Sequence, residues 1–141
     1  MNNTAARFSS LLEKQGFPMA IIKVEDRGEK DTVFAFGQLI KNNQVNIVID
    51  FDEESTCIDF NIFSLAKLKP ETNRIKVFEL LNRYNSSFRF PKFYIDKEDE
   101  VVAQITIPYE KEVSEEMMFD MLRSMLSFCH KVSDEISDTL E

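Results

Sequence analysis

Between Phe88 and Ile107 the chain reads FRFPKFYIDKEDEVVAQITI, two alternating apolar and polar runs broken by a charged reset at Lys97 to Glu100. Side chains alternate across a strand, so a period of two with such a reset predicts an antiparallel hairpin with one buried face. Phe93 and Ile95 face one way on the first strand; Val101, Ala103, Ile105 and Ile107 form the matching row on the second.

The same reading organises the remainder. Asn3 or Thr4 can cap a short first helix that puts Phe8, Leu11 and Leu12 on one stripe and stops at Gly16. Four strand-like runs follow, Met19 to Glu25, Thr32 to Lys41, Gln44 to Asp52 and Thr56 to Phe63, separated by DRGEKD, Asn42-Asn43 and DEES. Val45, Ile47, Ile49 and Phe51 share one face of the third, and Ile58, Phe60 and Ile62 one face of the fourth. After a connector from Ser64 to Lys69, Pro70 suits the first turn of a second helix carrying Ile75, Val77, Phe78, Leu81 and Tyr84. Ser114 caps a long last helix, with Glu115 and Glu116 against its positive end and Met118, Leu122, Met125, Cys129, Val132 and Ile136 as its stripe. The order helix, four strands, helix, two strands, helix predicts an α+β fold in two layers, an antiparallel sheet with helices mainly on one face. A length of 141 residues fits a single domain over 1–141.

Composition narrows function by exclusion. Seventeen basic against 25 acidic residues give a net charge of −8, which repels a phosphate backbone and argues against nucleic-acid binding. No run is long and apolar enough to span a bilayer, and the opening MNNTAARFSSLLEK lacks a signal-peptide core, so a cytoplasmic location is expected. Cys57 and Cys129 are then free thiols. Thirteen Phe and no Trp point to a core built on phenylalanine rings.

The segment LLNRYNSSFRFPKFYIDKEDEVVAQITIPYEKEVSEEMMFDML resembles the YbjN family of bacterial sensory-transduction regulators. The resemblance is carried by Leu81-Asn82 followed by Asn85, the strand Lys92-Phe93-Tyr94-Ile95-Asp96, an acidic turn, a strand ending at Pro108, and Ser114 opening a helix. It implies a fold similar to the type III secretion chaperones, small acidic proteins, commonly dimeric, that hold extended segments of other proteins. It supplies no catalytic motif and no cofactor. One departure is the turn Asp96 to Glu100, where relatives carry a glycine.

Candidate chemistry is thin. Cys129 and His130 are adjacent on a helix, so their side chains point about 100° apart and lack the contact a thiol nucleophile needs. The acidic groups Asp50, Asp52, Glu53, Glu54 and Asp96, Glu98, Asp99, Glu100 lack calcium-loop spacing and read as solvated turns, with no metal expected. Asp50 and Asp59 on neighbouring strands suggest a glycosidase only if a pocket lies between them. Met117, Met118, Met121 and Met125 read as core filling, with partner binding as the minority view. Phe34, Phe36 and Ile40 share a strand face opposite Val33, Ala35 and Leu39, and one of those rows must lie outside the main core. The face opposite the core rows carries Val48, Cys57, Asn61, Phe63, Tyr94, Val102, Gln104 and Thr106, less charged than an ordinary wet surface. The function expected is a non-enzymatic protein-binding module, a homodimer that holds a partner segment at a sheet edge or face. Val48, Phe63, Tyr94, Val102, Gln104 and Thr106 are its candidate contacts. A regulator sensing a small ligand between sheet and last helix, or a small hydrolase, are the alternatives.

Overall fold

The structure, a computed structural model, describes residues 1–18, 22–26, 31–52, 56–108 and 113–141. The elements run α1 (Asn3–Lys14), β1 (Lys23–Asp26), β2 (Asp31–Ile40), β3 (Asn43–Asp52), β4 (Cys57–Lys67), α2 (Arg74–Ser87), β5 (Lys92–Ile95), β6 (Glu100–Pro108) and α3 (Glu115–Leu140). The expected order holds. The strands form one antiparallel sheet in the order β1-β2-β3-β4-β6-β5. The start of the first expected strand, residues 19–21, and most of the turns DRGEKD and DEES, with Glu53 and Glu54, lie outside the described residues.

Alternation decides which side is buried. Phe34, Phe36 and Ile40 of β2, Val45 to Phe51 at every second position of β3, and Ile58, Phe60 and Ile62 of β4 are inside, as are Phe93, Val101, Ala103, Ile105 and Ile107. These rows join one core with Phe8 and Leu12 of α1, Val77, Leu80, Leu81 and Tyr84 of α2, and the whole expected stripe of α3. Phe93, Ile105 and Leu122 therefore share one environment, and the helices cover the face that the phenylalanine row of β2 occupies.

Local chemistry moves several boundaries. Asn2, not Asn3 or Thr4, caps α1, its side chain accepting from the Ala5 N–H. The second helix begins at Arg74 rather than at Pro70, because the Asn73 side chain accepts from the Lys76 N–H and sets the first turn there. Ile75 and Phe78 point outward, 68% and 50% exposed, since Val77, Leu81 and Tyr84 claim the inward stripe together with Leu80. The connector from Ser64 begins as strand: β4 runs on to Lys67 through a bulge in which Ile62 pairs with Ala103 and Ala66 with Val101. Ser64 takes a positive φ of 63° within it, and its hydroxyl donates to Glu100 at 2.8 Å.

The glycine-free turn at 96–100 is resolved by aspartates. Asp99 adopts φ of 60°, a left-handed conformation that aspartate tolerates better than most residues. The Asp96 carboxylate accepts from the N–H groups of Glu98 and Glu100, which holds the turn without glycine.

Candidate functional site

The outer face of the sheet is built in rows by the strand register. Val102 pairs with Tyr94, Val48 with Asn61, Asn61 with Gln104, and Asp59 with both Asp50 and Thr106. Two rungs are tied by side chains: Gln104 donates to Asn61 at 2.8 Å and Thr106 donates to Asp59 at 2.6 Å. Val48, Phe63 and Gln104 are half-buried, Tyr94 and Thr106 exposed, and Val102 wholly buried although it points away from the helices. Phe63 stands diagonal to Val48, since its register partner is Asn46. The six candidate contacts thus share one face; Val102 is the one without accessible surface.

Acid concentrates at one end of this face. Asp50 and Asp59 are directly opposite on β3 and β4, and Asp31 faces Asp52 one row on. Burial, then the hydrogen bond and charge of Asp31, then the charges of Asp52 and Asp59, push Asp50 up to about 7. No three His, Cys, Asp or Glu side chains among the described residues converge as a metal set. Two cavities among the described residues, of about 760 Å³ between α2 and α3 and about 580 Å³ along α3, include neither Asp50 nor Asp59.

Asp50 ties stability to pH. Unfolded it titrates near 3.8 and folded near 7, so the folded chain binds this proton more tightly. The stabilisation is full below about pH 4 and is lost as pH rises through about 7. Because Asp50 is only half-buried, screening reduces its size to about 1 kcal/mol. Asp50→Asn is therefore expected to gain about 1 kcal/mol over the parent at pH 8 and nothing at pH 4, read by urea unfolding at both. An equal change at the two pH values would remove the carboxylate cluster as the cause.

The remaining candidates separate. Cys129 is wholly buried, its thiol pushed up to about 12 by that burial, while His130 is exposed, so the two cannot act together. Met118 and Met125 are core; Met121 is half-buried and Met117 exposed.

The residues that carry the family resemblance assemble into a latch between α2 and β5. The Asn85 side chain accepts from the Phe93 N–H at 2.8 Å and donates to the Phe93 carbonyl at 3.0 Å. Lys92 Nζ donates to the carbonyls of Asn85 and Phe88 at the end of α2, where cations are favoured. Tyr84 packs on Phe93 and Phe128 with ring centroids 5.4 and 6.2 Å away, and donates its hydroxyl to Glu135. Burial, and then that carboxylate, hold the Tyr84 hydroxyl well above its ordinary range, and the bond in turn lowers Glu135.

This latch occupies part of one of the two sheet edges. With Phe93 turned outward to Asn85, alternation turns Lys92 and Tyr94 toward β6, and Gln104 and Val102 toward β5. Beyond the Lys92 start of β5, Thr106 and Pro108 share the same edge, and Pro108 has no N–H to offer. An added strand would find one occupied residue and one missing donor. Sequence reasoning quoted Asn85 but missed this task, which no local periodicity signals.

A family model for YbjN, described as "Putative bacterial sensory transduction regulator", matches residues 5–138. No curated protein matches the chain.

Proposed function

The chain belongs to the YbjN family, and from that premise we propose that it is a non-enzymatic regulatory module, one domain over 1–141, that holds a segment of a partner protein on the outer face of its sheet. The observation that carries this reading is the face itself: Val48, Phe63, Tyr94 and Gln104 gather on the side of the sheet away from the helix-covered core. Docking at the β5 edge is disfavoured by the Asn85 latch, which supports the face as the surface that receives the partner. The working unit is a cytoplasmic homodimer, and the exposed Ile75 and Phe78 of α2 are the apolar surface a second copy would cover. Among the described residues no helix is long and apolar enough to cross a membrane.

Charge placed on the face tests the reading. Val48→Glu with Phe63→Glu is expected to abolish capture of the partner that the parent chain retains, while Ile75→Glu with Phe78→Glu leaves capture intact and yields a monomer by light scattering. Capture that survives the first pair would place the partner elsewhere.

One observation favours a second reading, a small ligand sensed between α2 and α3 rather than between sheet and helix. The cavity of about 760 Å³ there is lined by Arg83, Tyr84, Phe88, Phe128 and Lys131. A thermal-shift screen separates the two, since a ligand bound only by the folded chain raises its melting point.

A further inference from the structure

Taking the outer face as the docking surface, we propose that its occupant is an amphipathic α-helix of a partner protein with Lys or Arg at its C-terminal end. Its apolar turns lie over Phe63 and Tyr94 and its cations over Asp50 and Asp59. The inference rests on the reading above and adds the shape and charge of the partner.

The shape follows from where backbone groups can be satisfied. The hydrogen bonds of a sheet lie in its plane, so an extended segment laid on the face would find no main-chain partners and would bury its own polar groups unpaired. A helix satisfies its backbone internally and is the usual cover of a sheet face. Of the two sheet edges, β1 and β5, the second is held at Phe93 by Asn85.

The charge follows from the two ends of the face. At the β5–β6 end stand Tyr94, 39% exposed, over its register partner Val102. At the other end Asp50 and Asp59 face each other directly across two strands, so that ionising both sets like charges side by side, a repulsion that a cation between them would relieve. Around Asp50 stand Asp31 of β2, Asp52 of β3 and, by register, Glu25 of β1 at the edge of the same row. Lys23 of β1 and Lys92 of β5 flank the next row, and Lys92 is engaged by the carbonyls of α2. Burial, the Asp31 hydrogen bond and the neighbouring carboxylates keep Asp50 protonated to about 7; an incoming ammonium or guanidinium pairs with the ionised form and offsets the like charges, so docking should expel that proton.

Size agrees with the shape. From Asp50 to Tyr94 is two rows along the strands and three strands across, about 15–20 Å, which a helix of about 10–13 residues spans. Cations at the helix C-terminus complement its dipole, so the apolar turns come first.

The test uses the full chain, isotope-labelled for NMR, and two capped helical peptides of about 14 residues. One has Leu and Ala in its first half and Lys in its last two turns; the other carries Glu in place of each Lys. The lysine peptide is expected to shift amides around Asp50, Asp59 and Val102, and to bind at least about tenfold more tightly than the glutamate peptide. Calorimetry at pH 7 in two buffers of different ionisation enthalpy should show release of a few tenths of a proton, roughly the fraction of Asp50 protonated there. Asp50→Asn with Asp59→Asn should cut the affinity about tenfold and end the proton release without lowering the melting point. Equal binding of both peptides on this face would overturn the cationic partner and leave the docking face standing. A lysine peptide that shifts only residues elsewhere would overturn the proposal, and no binding by either peptide would overturn the proposal and the docking face together.

Discussion

Phe8→Ala is expected to cost about 3–5 kcal/mol of unfolding free energy, the largest effect of any single change proposed for this chain. Phe8 is wholly buried, and its ring lies 6.4 Å from Phe34, 5.9 Å from Phe51 and 6.3 Å from Phe60, on β2, β3 and β4 in turn. One side chain thus fastens α1 to three adjacent strands. The cavity left by its removal would have a floor of paired strands, which cannot close in around it, so the loss should fall at the high end of the range. A fall in melting temperature on the order of 10 °C should accompany it. Phe8→Leu, which keeps most of the volume, should cost about 1–2 kcal/mol. Urea unfolding of both variants measures this, and a loss under about 1 kcal/mol for Phe8→Ala would mean that α1 is not seated on the sheet.

Asn85→Ala should have the second largest effect, about 2–3 kcal/mol, for a different reason. The amide makes both of its bonds to one residue, and Phe93 is only 4% exposed, so truncation leaves a buried N–H and a buried carbonyl without partners. Asn85→Asp keeps the acceptor for the N–H but turns an oxygen toward the Phe93 carbonyl, and should lose nearly as much. The truncated variant also uncovers the outward edge of β5, so light scattering should show association into species larger than the parent's. A monodisperse Asn85→Ala chain of unchanged stability would remove the latch as the guard of that edge.

Much of this architecture was legible in the residues. All six positions of the α3 stripe are buried, and the alternating rows of β3, β4 and β6 face the core, because a pattern sustained over several periods leaves one face to choose. The α2 stripe was half legible: Ile75 and Phe78 repeat at helical spacing just as Val77, Leu81 and Tyr84 do, and only the sheet beneath decides between two overlapping stripes. The bulge in β4 hid in an apparent connector, since Ser64 breaks the alternation that Leu65 and Ala66 then resume. At the outer face, the opposition of Asp50 and Asp59 was foreseeable from neighbouring strands, whereas the part played by Asp31 required the register of β2 against β3. Asn85 was the hardest: its partner is eight residues away on another element, and a single polar side chain has no period to betray it.

The bulge in β4 has a dynamic consequence. The Asn43 side chain donates to the carbonyls of Ser64 and Leu65, the Ser64 hydroxyl to Glu100, and the Leu68 N–H to the carbonyl of Asp99. Residues from the β2–β3 hairpin, the irregular stretch of β4 and the β5–β6 hairpin are thereby knotted at one corner. Amide protons at these three places, remote in the chain, should exchange with solvent deuterium at a common rate, opening as one cooperative unit.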